Sequence, residues 1–146
     1  MIALAADQEE QRLQSLVSQV RILEAYLNEI STRENLTGRA IIESRASLEA
    51  VKTLASAPSN DVLLPIGAGV LLSSAIAKPD KLFIDIGAGA VVAKTPEETI
   101  ALVEQRIKEL ETALENLQRQ KAQVENQLAS YRAAVNDIVE KARKET

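Results

Sequence analysis

Two glycine-rich phrases are the strongest candidates in this chain for binding a ligand, because glycine-rich loops can bind phosphate. Gly67-Ala68-Gly69 and Gly87-Ala88-Gly89 each follow an isoleucine and precede a run of apolar residues. Glycine-rich loops bind phosphate where they open a helix. Here neither the third glycine of a dinucleotide fingerprint nor a Gly-Lys-Ser/Thr triplet follows, and each phrase leads into a strand-like sequence. The phrases therefore predict the turns of two β-hairpins rather than a nucleotide site.

Other residue types also argue against catalysis. The chain has no cysteine and no histidine, which removes thiolate chemistry, the commonest general base and the commonest transition-metal ligand. Tyrosines, lysines and carboxylates remain, but every cluster of them falls at exposed helix positions with no pocket to focus it. We expect no enzyme activity and no catalytic, cofactor-binding or metal-ligating residue.

Charge and hydropathy restrict the partners and the compartment. A net charge of −4 disfavours nucleic-acid binding, which uses a basic face. The longest uncharged run, 62–77, contains Pro65 and two glycines and is too short to span a membrane. The first residues lack the basic flank of a signal peptide, so the sequence predicts a cytoplasmic protein without a membrane or nucleic-acid partner.

The hairpin phrases lie in a short β insert between two long helical arms. All four prolines fall between 58 and 96, and strands are expected at 62–66, 70–77, 81–86 and 90–94. Pro65 cannot donate to a ladder, so its strand should be an edge or contain a bulge. Two hairpins alone have little core and free edges, so strands of other subunits should complete them.

Each arm has the heptad repeat of a coiled coil. In the first arm apolar residues recur from Leu13 at a and Leu16 at d for about six heptads, with Glu34 and Thr37 among the polar interruptions. The second arm opens at Thr95-Pro96 and has one polar seam residue, Lys121. Thr95 and Glu98 predict a capping box at its start.

The charges at e positions predict that the two arms pair with each other in antiparallel register. Aligning the seams places residues of opposite charge face to face in three pairs: Lys52 with Glu104, Arg45 with Glu111, and Glu24 with Arg132. The same register places Thr37 opposite Lys121, with Glu34 one layer along. The predicted fold is mainly α with a small β insert, a long antiparallel coiled-coil hairpin whose helices are joined by two β-hairpins. Its segments are 1–57 (N-terminal helix), 58–95 (oligomerisation insert) and 96–146 (C-terminal helix).

The insert and its flanking arms resemble the two-hairpin α class of the archaeal prefoldin family. The matching stretches are 62–69, 78–81 and 85–95, which hold both glycine phrases and the Lys-Pro-Asp-Lys link between them. A departure is Val70-Leu71-Leu72, where the family often has an aromatic residue. The resemblance implies an ATP-independent chaperone in a hexamer of two α and four β subunits. Such a hexamer holds unfolded client proteins at its coiled-coil tips and passes them to a group II chaperonin.

Two sets of residues follow as candidate sites. The client-binding tips formed by the two termini would comprise Ile2, Leu4, Leu13, Leu16, Val17, Val135, Ile138 and Val139. Subunit assembly with β subunits and a second α subunit would use Val62, Leu64, Ile66, Gly67, Gly69, Val70, Leu72, Phe83, Ile86, Gly87, Gly89 and Val91. The tip residues could instead merely close the last layers of the coil. The alternative function is a prefoldin-like structural or filament-forming assembly protein that stacks through its hairpins.

Overall fold

The computed structural model describes residues 2–146. Helix α1 spans Ile2–Ser56, strands β1 (Ser59–Gly67) and β2 (Val70–Ala77) follow, then β3 (Leu82–Gly87) and β4 (Ala90–Lys94), and helix α2 spans Pro96–Lys144. The predicted fold class is confirmed: two long helices with two antiparallel hairpins between them. The chain falls into two compact units, one of residues up to Gly38 together with Ala113–Thr146 and the other of Arg39–Thr112. We call them the terminal unit and the hairpin unit.

In the terminal unit the two helices pair in antiparallel register. Arg132 contacts Glu24 at 2.7 Å, and Lys141 contacts Glu9 at 3.2 Å. Residues later in α2 therefore pair with residues earlier in α1. The best-buried apolar side chains of this unit are Ile30, Val124 and Leu128, all seam residues. Burial of these seam side chains provides the main stabilisation, because each exposed ion pair contributes only about 0–1 kcal/mol.

One ion pair of the terminal unit lies within the seam itself. The Lys121 ammonium lies 2.9 Å from a Glu34 carboxylate oxygen, and the Glu34 side chain is only 18% exposed. The hydrogen bond with Glu34, and then its charge, raise the pKa of Lys121 above its usual 10.5, and Glu125 adds to the effect. The two polar defects of the predicted seams therefore meet and neutralise each other.

In the hairpin unit, the parts of α1 and α2 that belong to it also pair in antiparallel register. Arg45 contacts Glu111 at 2.7 Å, and Lys52 lies 4.0 Å from Glu104. Ile41 and Ile107 are its buried seam residues. With the Glu24–Arg132 pair of the terminal unit, all three charged pairs predicted from the e positions are present.

Helix α2 starts with the predicted capping box. The backbone N–H of Glu98 donates to the Thr95 hydroxyl, and the N–H of Thr95 donates to the Glu98 carboxylate, both at 3.2 Å. Pro96 occupies the first helical position, where its missing N–H leaves no bond unmade. The two strands predicted at 70–77 and 90–94 match β2 and β4, whereas β1 begins earlier than expected, at Ser59.

Both hairpins turn through two residues rather than through the whole Gly-Ala-Gly phrase. In the first, Gly67 pairs with Val70 across a two-residue turn, and Ala68 and Gly69 have φ values of 50° and 77°. Two successive positive φ values are those of a type I′ turn, whose twist matches that of the strands. The register shifts between Pro65 and Gly67, so a bulge, one of the two alternatives expected for the strand of Pro65, is present, and in a two-stranded sheet that strand is also an edge. The second hairpin repeats this geometry through Gly87, Ala88 and Gly89.

Candidate interaction surfaces

The terminal unit presents an apolar groove near the chain termini. Val17, Val20 and Val135 line it together with Arg21 and the Glu24–Arg132 ion pair. A second groove, lined by Leu13 and Ser18 among others, shares Val17 and Arg21 with the first. The structure thus brings together three of the predicted tip residues, Leu13, Val17 and Val135, on one side of the helix pair.

The other predicted tip residues divide into two groups. Ile2 and Leu4 are 90% and 68% exposed in the first turn of α1, and Val139 is 49% exposed near the end of α2. Leu16 and Ile138 are half-buried seam residues, so they close the coil more than they line a surface. Val20, a seam residue, and Arg21 were not predicted as tip residues, although both line the groove.

The hairpin unit exposes apolar side chains along its strands. Ile66, Ile86 and Phe83 are 66%, 58% and 76% exposed. Of the other predicted assembly residues, Leu64, Val70, Leu72 and Val91 are exposed, Val62 is half-buried, and Gly67, Gly69, Gly87 and Gly89 form the turns. A Cβ added at these glycines would meet no atom within 4 Å, so their requirement is conformational, since each has a positive φ.

The first hairpin is apolar on both of its faces. Residues directly paired across two strands share a face, so Leu64 and Leu72 lie on one face and Pro65 and Leu71 on the other. Leu63 lies on the second face and is 64% exposed, and Leu71 is 56% exposed. The predicted set included Val62, Leu64 and Ile66 but omitted Leu63 and Leu71, although the apolar run 62–66 was the available signal.

Within residues 2–146 no cluster of acidic side chains is arranged to hold a metal ion. Neither helix, over the residues described, has an apolar stretch of the length and low charge that a membrane crossing requires. Each unit exposes apolar side chains, near the chain termini in the terminal unit and along the strands in the hairpin unit.

Structural comparison identifies the same arrangement in solved proteins. The prefoldin β subunit from Thermococcus strain KS-1 superposes with a TM-score of 0.60 at 17% identity, covering 86% of this chain and 90% of that one. Filamentous PFD from Methanocaldococcus jannaschii gives a TM-score of 0.56 at 22% identity, covering 85% and 98%. At these identities the likeness shows the fold.

Sequence comparison extends the likeness to the family. The prefoldin subunit family profile matches residues 23–141. The prefoldin subunit alpha of Nitrosopumilus maritimus is 32% identical over 131 residues, which cover 90% of each chain. That of Methanospirillum hungatei is 31% identical over 134 residues, covering 87% of this chain and 90% of the relative. The chain belongs to the prefoldin family.

Proposed function

We propose that this protein is an ATP-independent holdase subunit of a cytoplasmic hetero-oligomeric prefoldin and has no enzyme activity. It captures non-native polypeptides at the end of the helix pair formed by its termini and delivers them to a group II chaperonin. The observation that carries the proposal is the uncovered apolar surface near the termini of a chain of this family.

The groove at the termini suits an unfolded client. Val17, Val20 and Val135 offer apolar contact, and a non-native polypeptide exposes the apolar side chains that would cover them. The exposed Ile2, Leu4 and Val139 extend this surface toward the chain ends, where helices open at low cost. Arg21 and the Glu24–Arg132 pair at the rim keep the empty groove hydrated.

The hairpins support assembly with other prefoldin subunits. Each is an isolated two-stranded sheet, and such hairpins are marginally stable unless further strands cover them. Their exposed Ile66, Phe83 and Ile86 would be buried by strands of β subunits and of a second α subunit. A hexamer of two α and four β subunits accounts for this need.

A second candidate function, a filament-forming assembly protein, is favoured by one observation. Leu63 and Leu71 form an apolar patch on the face of the first hairpin opposite Leu64 and Leu72. A closed β-body covers one face of each hairpin, so the other face could stack copies into a polymer. Sizing distinguishes the two functions: the chain alone forms long polymers if it is a filament subunit, and joins a one-hairpin partner in a defined hexamer if it is an α subunit.

The test is suppression of aggregation of a chemically denatured protein, with and without a β subunit, followed by transfer to a group II chaperonin. Removing 1–20 and 135–146, which takes away every predicted tip residue and the three valines of the groove, should abolish holding and leave assembly with the β subunit intact. The double variant Val17→Ser/Val139→Ser should weaken holding in the same direction. Ile42→Ser is a matched control, since Ile42 is 70% exposed but lies in the hairpin unit. Full holding by the truncated protein would refute the tip site.

A further inference from the structure

On a second side of the terminal unit, distinct from the groove at the termini, helix α2 has no charged residues. Between 113 and 134 the charged residues of α2 are Glu115, Arg119, Lys121, Glu125 and Arg132, all at heptad positions other than c and g. Between 116 and 130 the c and g positions, counted with Leu114 at a, hold a row of amide and hydroxyl residues. We call Asn116, Gln120, Gln123, Gln127 and Ser130 the amide stripe.

Exposed apolar side chains of α1 lie beside the amide stripe. Tyr26 lines one groove with Gln123, Gln127 and Ser130. Leu36, which is 61% exposed, lines another groove with Asn116 and Gln120.

The charged residues that α1 places on this side cancel each other. Arg33, in the groove of Leu36, is paired with Glu29 of its own helix. Ile22, one helical turn before Tyr26, is 64% exposed. This side therefore combines solvent-exposed amides with exposed apolar side chains and carries no net charge.

We propose that the amide stripe is a second contact site for an extended, non-native polypeptide, which it binds through the client's backbone. This inference rests on the proposed holdase function and adds to it a site and a substrate chemistry. The client segments it takes are uncharged, with free backbone N–H and C=O groups and apolar or aromatic side chains for Ile22, Tyr26 and Leu36.

Hydrogen-bond chemistry supports an extended backbone as the occupant. A side-chain amide both donates and accepts, as a peptide group does. Among residues 2–146, the side-chain amide of α2 that bonds within the protein is Gln105, to Glu109; the amides of the stripe bond to no other residue there. A folded helix satisfies its own backbone along its length and offers the stripe few partners. An unfolded chain offers many.

The spacing of the stripe also fits an extended chain. Its members follow one another at alternating steps of four and three residues, one per helical turn, or about 5.4 Å apart. Backbone groups on one side of an extended strand repeat about every 6.6 Å. The difference of about 1 Å per repeat accumulates along the stripe, so an extended segment keeps register with about three consecutive members, within the reach of their rotatable side chains.

The test compares charge-matched variants of the full chain assembled with its β subunit. Gln120→Glu/Gln123→Glu/Gln127→Glu removes the amide donors of the stripe, whereas Gln118→Glu/Ala122→Glu/Ala129→Glu adds the same charge at exposed positions elsewhere on α2. Affinity is measured by fluorescence anisotropy for an uncharged, labelled peptide rich in leucine and tyrosine, and for the same peptide N-methylated along its backbone.

We expect the stripe variant to bind the unmodified peptide about tenfold more weakly than wild type, which corresponds to the loss of one or two net hydrogen bonds. The control variant should stay within about twofold, and the N-methylated peptide should bind wild type as weakly as the stripe variant binds the unmodified one. Equal affinity of the two variants would overturn the inference, as would equal binding of the two peptides. So would a stripe variant that changes the size of the assembly and not the peptide affinity, because it would assign this side to another subunit. If wild type fails to suppress aggregation, the holdase function itself falls; if it succeeds while the variants are equivalent, only the stripe is refuted.

Discussion

At the scale of single residues, heptad arithmetic predicted which charges meet but not which atoms bond at the polar layer. The pairs of Arg45 with Glu111 and Glu24 with Arg132 followed from facing e positions, and both are 2.7 Å long. Lys121 was expected opposite Thr37, yet its ammonium bonds Glu34. A lysine side chain is long enough to reach the neighbouring layer, so spacing along the sequence locates its Cα and not its charged end.

The Glu34–Lys121 pair makes the stability of the coil sensitive to alkaline pH. Because the pair raises the pKa of Lys121 above 10.5 in the folded state, its stabilisation is fully present below that value and is lost as the pH rises through the higher folded pKa. Groups elsewhere also titrate at high pH, so Lys121→Met serves as the reference. The melting temperature of wild type should exceed that of the variant near neutrality, and this difference should shrink above pH 10.5.

Thermal melts followed by circular dichroism, at steps from about pH 8 to about pH 11.5, measure the difference. Glu34→Gln is the second reference, because it keeps the size of the side chain and removes the charge that raises the pKa. The melting temperature of Glu34→Gln should depend on alkaline pH as weakly as that of Lys121→Met. A melting-temperature difference that stays constant over the whole range would contradict the assigned role of the pair.

At the scale of elements, the sequence located helices and strands where a residue type has one strong preference. Thr95, Pro96 and Glu98 determine the start of α2 because each suits a particular capping position. The hairpin turns were less determined. Glycine accepts many backbone conformations, so the phrase Gly-Ala-Gly did not reveal that its alanine would also adopt a positive φ, of 50° at Ala68 and 53° at Ala88.

The capping box at the start of α2 predicts a measurable stability effect. Thr95→Ala removes the hydroxyl that accepts from the Glu98 N–H and should lower the free energy of unfolding by about 1 kcal/mol. Thr112→Ala is the matched control. Its hydroxyl bonds a carbonyl of its own helix in mid-helix, where alanine is the better helix former, so its unfolding free energy should not fall. Urea denaturation compares the two, and equal losses would argue against the cap.

At the scale of the whole molecule, the sequence indicated exposed apolar residues on the hairpins but not all of them. The run 62–66 indicated a strand, and the usual alternation assigned its apolar residues to one face. Both faces of the first hairpin are apolar, with Leu64 and Leu72 on one and Leu63 and Leu71 on the other. Alternation in a half-buried strand predicts one apolar face, so it does not account for the second.

The two faces should have separable roles in assembly. Val62, Ser74 and Ile76 share the face of Leu64 and Leu72 and are half-buried in the hairpin unit, so this face continues a surface that is already partly covered. Leu64→Ser/Leu72→Ser should weaken assembly with the β subunit by about a hundredfold or more, since each buried leucine contributes about 1.5–3 kcal/mol. Leu63→Ser/Leu71→Ser is matched in composition and should leave the hexamer intact while abolishing any association between hexamers. Light scattering coupled to size exclusion, over a dilution series, reads out both effects. If the second pair disrupts the hexamer and the first does not, the inward face of the hairpin is the one that carries Leu63 and Leu71.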